Sequence, residues 1–480
     1  MHERDLRRQA LESGKTVSRK QKAKHLSARS SATNSPFASP GVSPAGSRAA
    51  SRNPSRQVSE DEDDDSDELA SRFVFPVRNS NISDLAGSVA SLDLSTGSFA
   101  QFDNASEEVW QHELREISGQ IVERSRNKRN TGEAREEIMA IYTNILRAQY
   151  AAEEVVTDLP ELVPALLKSI KAGSGEREAV FALRALAMTI LTTGEEIFEE
   201  VHDALRNRIQ DDSSAAAQEA AIHALGIAAY LGGAGIEGTE DTMDYFLDII
   251  ETDGEHIGAT DNGPVVAAAL QEWGFLATRF NDFEGKTERP LECFENQLES
   301  TDLHVLQAAG ENIALLYEQS YKRFTEDDES KDNSGGAEDE FEVGDFKRVH
   351  WRKAYDVYPG NEFGLKSSLA DLARSSARHL GKEKRKDLHK TFSDVLHTVE
   401  HPWRGPRFST ALDENMIAYM GHRLSVRFGR DGVMTVNRWW KLHRYEAIKR
   451  VVGPGFLTHY TLNQVVREAL PLGLSSGADF

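Results

Sequence analysis

A short segment in the last quarter of the chain has the residue types of a catalytic zinc site. In HTVEH, residues 397–401, the order H-x-x-E-H matches a zinc-protease signature. On a helix, His397 and His401 would share one face and ligate zinc, with Glu400 as the general base. Pro402 follows at once and places His401 at a helix end, and no third carboxylate ligand follows in a helical context. A zinc-dependent hydrolase is therefore kept only as an alternative to the non-catalytic functions below.

The other patterns that could carry chemistry are incomplete. SGKT, residues 13–16, matches part of a phosphate-binding loop, but Gln9 stands where that loop needs its first glycine, and no strand precedes it. The single cysteine, Cys293, excludes a disulfide framework and lies in an amphipathic segment, where a buried structural thiol is expected. No Ser/His/Asp arrangement stands out. The sequence predicts a protein that is not an enzyme and takes no cofactor, no metal and no small-molecule substrate.

Basic residues cluster at three places in a chain whose formal net charge is −22. The clusters are LRRQALESGKTVSRKQKAK at 6–24, KEKRK at 382–386 and NRWWKLHRYEAIKR at 437–450. Clustered cations in an acidic protein favour an anionic partner, with a merely solvated surface as the alternative. The residues predicted to bind RNA or another partner are Lys382, Lys384, Arg385, Lys386, Arg438, Trp439, Lys441, Arg444, Lys449 and Arg450.

The last cluster must lie on a helix for these side chains to act together. Asn437 suits the N-cap position, and Gly453-Pro454-Gly455 would end the helix after Val452. Trp439 is expected to pack on the neighbouring strands or to stack on a base. Helical spacing gives an apolar stripe of Val436, Trp440, Ala447 and Val451. The side chains expected to reach solvent or phosphate are those of Arg438, Lys441, Arg444, Lys449 and Arg450.

Charge is distributed unevenly along the chain. Residues 59–345 carry 21 Lys and Arg against 62 Asp and Glu, whereas residues 1–58 carry 12 against 3 and residues 346–450 carry 22 against 11. An acidic body with basic ends favours anionic partners reached from the ends. The N-terminus has no apolar signal-peptide core, and no apolar run approaches the ~18–20 residues that span a bilayer. We therefore expect a soluble protein of the cytoplasm, the nucleus or both, with no membrane partner.

The first part of the chain, residues 1–105, is predicted to be disordered. It is basic and then acidic, and it is rich in Ser and Pro, so it buries too little apolar surface to offset its conformational entropy. Serines before prolines or beside an acidic run suit phosphorylation, with a plain solvated linker as the alternative. The candidate phosphorylation sites are Ser35, Ser39, Ser43 and Ser59.

Residues 106–324 contain a repeated helical pattern. The segments AVFALRALAM, AAIHALGIAA, AAALQEWGFLA and QAAGENIALLYE resemble one another, and each follows another amphipathic stretch. Aligning Ala185, Ala224, Trp273 and Ile313 gives spacings of 39, 49 and 40 residues. Helix pairs of the armadillo and HEAT kind repeat every ~40–47 residues. The sequence therefore predicts a mainly α fold built on an armadillo/HEAT-like helical-repeat solenoid.

A linker and a second domain are predicted after the repeats. Residues 325–345 form an acidic, Gly-containing linker, and residues 346–480 form a small basic C-terminal domain of helices plus one β-hairpin. Helices are predicted near 362–380 and 382–400. Alternating apolar residues on both sides of GRDG, in HRLSVRFGRDGVMTVN, predict the hairpin.

The C-terminal residues resemble a known family. VRFGRDGVMTVNRWWKLHRYEAIKRVVGPGFLTHYTLNQVVREAL, residues 426–470, is similar to the C-terminal domain of the interferon-related developmental regulator family. KEKRKDLHKTFSDVLHTVE resembles the basic helix before that domain, and DLHVLQAAGENIALLYE resembles the last helix pair of the family's armadillo-like domain. RDLRRQALESGKTVSRK resembles the opening of fungal members. The resemblance covers roughly residues 106–470, and residues 426–470 are its most specific part.

The resemblance implies helical repeats, no enzymatic activity and a regulatory role in gene expression. The family is associated with binding to translationally inactive ribosomes and with transcriptional co-regulation. The expected partner is therefore a ribosome or another ribonucleoprotein, bound through the basic termini so that translation is repressed. The alternative is a transcriptional co-regulator whose solenoid binds chromatin-associated proteins. Animal members continue into a long basic tail, whereas this sequence ends at SSGADF, so a binding role of that tail is not carried over, and replacement of the tail by the basic N-terminal arm is left open.

Overall fold

The computed structural model describes residues 96–103, 105–126, 132–172, 175–211, 214–323, 351–357, 362–374, 381–406, 411–412, 419–420, 425–428 and 432–471. All of them belong to one compact unit. The predicted linker 325–345 and most of the predicted disordered segment 1–105 lie outside these residues. Residues 96–103 differ from the prediction, because they form helix α1 (Thr96–Asp103). Phe102 is buried where α1 packs on a later helix, and that contact explains why this part of the segment is ordered.

In the described part of the chain, six consecutive helix pairs follow α1. The first helices of the pairs are α2 (Glu107–Arg126), α4 (Ala152–Ala172), α6 (Phe198–Ile209), α8 (Gly235–Glu251), α10 (Glu288–Gln297) and α12 (Glu362–Arg374). The second helices are α3 (Gly132–Ala148), α5 (Glu176–Thr193), α7 (Ala215–Leu231), α9 (Gly263–Ala277), α11 (Leu303–Gln319) and α13 (Lys382–Glu400). Capping side chains begin three of these helices: Ser214 before α7, Asn262 before α9 and Asp302 before α11.

The second helices form one continuous layer, in which each packs on the next from α3 to α13. The residues aligned in the sequence repeats, Ala185, Ala224, Trp273 and Ile313, lie at the centres of α5, α7, α9 and α11 and are at most 1 % exposed. Small residues beside them let neighbouring helices approach closely, and each helix covers the apolar face of its neighbour. The predicted helical-repeat solenoid is confirmed.

The repeat layer continues past the predicted end of the array at residue 324. Helix α13 packs on α11 and α12 packs on α13, so this pair extends the solenoid instead of beginning a separate domain. Phe392 and Val395 of α13 are fully buried and face Gly310 of α11. The sixth helix pair was not recognised as part of the repeats because the acidic linker 325–345 interrupts the regular spacing of the repeats.

Short antiparallel strand pairs accompany the helices. Strands β5 (Ser425–Phe428) and β6 (Gly432–Thr435) pair with Ser425 opposite Thr435, which confirms the predicted hairpin. Two further pairs were not predicted: β1 (Tyr321–Arg323) with β2 (Trp351–Lys353), and β3 (Ala411–Leu412) with β4 (Tyr419–Met420). Strands of two or three residues are too short to show an alternating apolar pattern.

The last helices cross the layer of second helices. They are α14 (Trp439–Val452), α15 (Phe456–Leu462) and α16 (Gln464–Ala469). Helix α14 contacts α11, α9 and α5, α15 contacts α3, and α16 contacts α5. Gly453 ends α14 with φ 55°, as predicted from its type. We call residues 438–470 the C-terminal strap. Among the described residues, no helix combines the length and the apolar character that a bilayer crossing requires.

Candidate polyanion-binding site

The strap begins where α14 meets the end of α11. The N-cap of α14 is Arg438, one residue later than the predicted Asn437. The backbone N–H groups of Trp439 and Trp440 donate to the carboxylate of Glu318, at 2.9 and 3.3 Å from Oε1. This carboxylate from another helix satisfies the first N–H groups of α14 and complements its positive end. The N-cap shift follows from that contact, which sequence spacing does not reveal.

Of the two tryptophans, Trp439 is packed in the protein, which was one of its two predicted roles, whereas Trp440 is less buried than predicted. Trp439 is 2 % exposed, and its indole Nε1 donates to Thr398 Oγ1 of α13 at 2.7 Å. Trp440, predicted in the apolar stripe, is only partly buried, and the Arg444 guanidinium lies 4.8 Å from its ring. The other stripe residues, Val436, Ala447 and Val451, are buried as predicted. Trp439 therefore packs in the protein and does not present a face to a nucleic-acid base in this conformation.

Most basic side chains of this cluster contact the solenoid, although Arg438 and Arg450 keep 24 % and 27 % of their side-chain surface exposed. Lys441 differs from the prediction because it is buried. That these residues bind RNA or another partner stays a prediction. Arg438 lies 3.9 Å from Glu318, and Arg450 is hydrogen-bonded and ion-paired to Glu272. Lys441 is 5 % exposed and donates to Asn437 Oδ1 at 3.2 Å.

Arg444 is also engaged by the solenoid. Its Nε donates to Thr278 Oγ1 at 2.9 Å and its Nη2 to the Thr278 carbonyl at 2.6 Å. Lys449 is partly buried, with Nζ 5.1 Å from the Tyr445 ring. The physical reason for this inward orientation is the acidity of the surface beneath α14, which offers the carboxylates of Glu272 and Glu318 to its cations.

The strap follows the C-terminal ends of the second helices. His459 Nε2 donates to the carbonyl of Leu146 in α3 at 2.7 Å, and Asn463 Nδ2 donates to the carbonyl of Leu191 in α5 at 2.9 Å. One hydrogen bond has its donor in the solenoid and its acceptor in the strap: Arg147 Nε of α3 donates to the carbonyl of Val451 at 2.9 Å. The last carbonyls of a helix lack partners within it and carry its partial negative charge. A basic segment is therefore a suitable partner for a row of such ends, and the strap satisfies several of them.

Buried ionisable groups concentrate beneath the strap. Glu272 is fully buried, and its Oε1 lies 2.8 Å from Nδ1 of His223. Burial, with the nearby Arg450 charge, lowers the pKa of His223 to about 4, so its ring is neutral near pH 7. Burial raises the pKa of Glu219 to about 7. Burial also raises the pKa of Glu318, against the opposing effect of Arg438.

The first turn of α13 carries the predicted basic residues that remain at the surface. Lys382, Lys384 and Lys386 are exposed, and Arg385 is partly buried. The N-cap is Gly381, whose lack of a side chain gives no capping bond. Cations at a helix N-terminus oppose the helix dipole and cost some stability. This arrangement is unfavourable for the helix itself, which favours a role outside the fold.

His397, Glu400 and His401 do not form the zinc site that the hydrolase alternative requires. The rings of His397 and His401 meet edge to face with centroids 5.3 Å apart, and His401 also packs edge to face on Trp403. Glu400 is exposed at the end of α13. Within the described ranges, no group of three or more His, Cys, Asp or Glu side chains could hold a metal ion. The hydrolase alternative is set aside.

The remaining predicted sites are not in the described structure or are inert. The candidate phosphorylation sites Ser35, Ser39, Ser43 and Ser59, and the basic arm at 6–24, lie outside the described residues. Cys293 is buried in α10, and burial raises the pKa of its thiol to about 11. A thiol with so high a pKa is a poor nucleophile, which agrees with the structural role predicted for it.

Sequence reasoning missed a row of polar residues on the second helices, two of which, His223 and Glu272, contact Arg450 of the strap. A signal for them was present in the repeat alignment, because the residue before each aligned apolar position is polar. These residues are Arg184, His223, Glu272 and Asn312. Asn312 and Glu272 are fully buried, and both lie close to Gly226 or Gly274, which leave room for them between the helices. The repeat alignment thus marked the positions of His223 and Glu272, although it did not show that another segment would bind there.

Comparison with known proteins identifies the family and several relatives of this chain. The family model of the interferon-related developmental regulators (IFRD) matches residues 81–400. An uncharacterized protein of Schizosaccharomyces pombe is 24 % identical over 392 residues, which is 80 % of each chain. Human interferon-related developmental regulator 1 is 24 % identical over 343 residues, 69 % of this chain and 65 % of the human protein. Mouse interferon-related developmental regulator 2 is 26 % identical over 331 residues, 65 % of this chain and 63 % of the mouse protein.

The family match ends at the last residue of α13 and so excludes the strap. The resemblance in residues 426–470 therefore stays a prediction, whereas the resemblance in the repeats is confirmed over two thirds of the chain. The chain belongs to the interferon-related developmental regulator family, a family of regulators.

Proposed function

We propose that this protein regulates gene expression by binding a ribosome or another ribonucleoprotein, and that it does so without catalysing a reaction. The observation that supports this proposal is the set of three exposed lysines, Lys382, Lys384 and Lys386, at the start of α13. Lysines are effective phosphate contacts, and this set is present although it opposes the dipole of its own helix. Bound in this way, the acidic solenoid would project from the nucleoprotein and block access to it, which would repress translation in the cytoplasm.

The alternative of a transcriptional co-regulator receives less support. It required an open solenoid surface that captures peptide segments of chromatin-associated proteins. The strap covers part of the layer formed by the second helices, including the ends of α9 and α11. Capture on that surface would first require the strap to leave, so we retain the co-regulator only as a secondary proposal.

The proposal is tested by co-sedimentation of the full chain with purified ribosomes over a series of salt concentrations. The variant Lys382→Glu/Lys384→Glu/Lys386→Glu should lose most of the bound fraction at low salt and show a shallower salt dependence, because three phosphate contacts are removed. A matched control reverses three exposed cations on α2, α4 and α5, namely Arg126, Lys171 and Arg177. This control changes the net charge by the same amount as the lysine variant, and the fraction bound to ribosomes should stay at the wild-type level. Equal loss in both variants, or binding that is insensitive to salt, would refute the proposal.

A further inference from the structure

The contact between the strap and the solenoid resembles a protein–phosphate contact. Glu318 accepts two backbone N–H groups at the N-terminus of α14 beside Arg438, which is the position where a helix typically binds a phosphate. Glu272 engages the guanidinium of Arg450, and Nη2 of the same arginine donates to Gln271 Oε1 at 2.8 Å. Carboxylates of the solenoid thus occupy the places that oxygens of an external polyanion would take.

The polar part of this contact is incompletely satisfied. In the described structure, Glu272 Oε2, Glu219 Oε2 and Asn312 Oδ1 are buried and have no hydrogen-bond partner. Buried ion pairs also lose much of their attraction to the cost of desolvating both charges. The apolar side chains of the strap, such as Trp439 and Ile448, hold it in place, while the charges add less to docking than apolar residues of the same size would. An external polyanion that displaces the strap must therefore offset mainly the loss of its apolar packing, and the loss of the ion pairs adds less to that cost.

We propose that the strap is a second polyanion-binding surface, which the solenoid covers in this conformation. In the docked state, Arg438, Arg444 and Arg450 are held by Glu318, Thr278 and Glu272. In the undocked state, the same three guanidiniums contact phosphates of single-stranded RNA. The solenoid carboxylates and the RNA phosphates thus compete for one set of cations. This inference rests on the proposed function, because it names a further surface for the same class of partner.

A reversible covalent lock provides the test. A Cβ atom placed on Gly194, at the end of α5, would lie 3.9 Å from the Cβ of Val465 in α16. That separation is within the ~3.5–4.5 Å range of disulfides. The variant Gly194→Cys/Val465→Cys therefore fixes the strap when oxidised and releases it when reduced. Gly194 has φ 66°, so cysteine is strained there, but the strain is present in both redox states. Cys293 is buried and its thiol has a raised pKa, so it does not compete for the new disulfide.

The first readout is the binding of a polyuridine oligonucleotide to the oxidised and reduced full chain. Opening adds three arginine contacts, so the slope of log K against log salt should be steeper by about 2 in the reduced form, at about 0.7 per contact with a single strand. At low salt the reduced form should bind about tenfold tighter or more. Equal slopes and affinities in the two forms would overturn the inference, and Val465→Cys alone should show no redox effect.

The second readout needs no RNA. Amide hydrogen exchange of residues 442–452 in the reduced form should be at least about tenfold faster than exchange in α9, and oxidation should remove the difference. Exchange as slow as that of α9 in both forms would show a permanently docked strap and would overturn the inference.

The two proposals fail in different ways. If the charge reversal at Lys382, Lys384 and Lys386 weakens RNA binding but the disulfide has no effect, only the strap inference is wrong. If the disulfide matters and the lysine variant binds as well as wild type, the lysine site is wrong and the strap is the binding surface. If neither form binds RNA, both proposals are refuted.

Discussion

The backbone of the strap lies close to the solenoid backbone at Gly455, which makes this residue a sensitive test of the docking described above. A Cβ atom on Gly455 would lie 2.7 Å from the carbonyl carbon of Arg147 and still closer to its oxygen. Carbon atoms in contact are ordinarily ~3.5–4.0 Å apart. The φ of Gly455 is −77°, a value that alanine adopts without strain, so the effect of Gly455→Ala isolates this approach.

The expected loss of stability in Gly455→Ala follows from how far the alanine side chain would push the strap from the solenoid. The Cβ would lie 1.7 Å from the Arg147 oxygen, so the two backbones must move apart by roughly 1.5 Å, which costs about 1–3 kcal/mol as overpacking. The same movement weakens the hydrogen bond from Arg147 Nε to the Val451 carbonyl, worth about 1.5 kcal/mol or more because the donor is charged. The lower entropy of alanine in the unfolded chain returns about 0.4–1 kcal/mol. We expect Gly455→Ala to destabilise the docked strap by about 2–4 kcal/mol.

The assay is urea unfolding followed by tryptophan fluorescence and by far-UV circular dichroism, together with hydrogen exchange of the strap amides. Gly119→Ala is the matched control, because Gly119 lies in the middle of α2 and a Cβ there meets no atom within 4 Å. The control should stabilise the protein by about 0.5–1 kcal/mol through helix propensity. A Gly455→Ala protein with wild-type unfolding and wild-type exchange in the strap would refute the docking geometry.

Three further results are expected. Burial lowers the pKa of His443 and His459 to about 4, as it does for His223, so each ring binds its proton at higher pH in the unfolded chain than in the folded one. The stability that each ring contributes is full above pH 6.5 and falls as pH drops from 6.5 to 4, by up to about 1.4 kcal/mol per pH unit. The raised pKa of Glu219 acts in the opposite direction, so the test compares urea midpoints of wild type and His443→Gln across this range. His443→Gln should lose one histidine's share of the pH dependence, and an unchanged dependence would contradict the assignment to this ring. Trp439→Phe leaves the hydroxyl of Thr398 without its indole donor. The variant should lower the free energy of unfolding by about 1–3 kcal/mol in the same assay. A loss below about 0.5 kcal/mol would show that this hydrogen bond does not stabilise the strap.

The repeats were predictable because their signal is local and periodic. Residues such as Ala185 and Trp273 recur at regular spacing on helices whose faces are buried by neighbours, so alignment alone found them. The hairpin and the end of α14 at Gly453 were predictable for a similar reason, since each depends on turn chemistry within a few residues. The structure confirms these elements.

The orientation of the strap was not predictable from α14 alone. Its helical spacing placed Arg444 and Arg450 toward solvent, because basic residues on a helix usually lie on the exposed face. Their partners Thr278 and Glu272 are more than 160 residues earlier in the chain, so no local pattern reveals them. The start of α14 was misplaced for the same reason, because Glu318 supplies the contact that fixes it.

The path of the strap from α11 back to α3 has a consequence for how the protein is made. Synthesis proceeds from the N-terminus, so all six helix pairs leave the translating ribosome before the segment that covers them. Until then the carboxylates of Glu272 and Glu318 remain hydrated, and each helical repeat is stabilised only by the repeats next to it. The surface beneath the strap is therefore made before the segment that covers it, and the buried polar contacts form only after residues 438–470 have been synthesised.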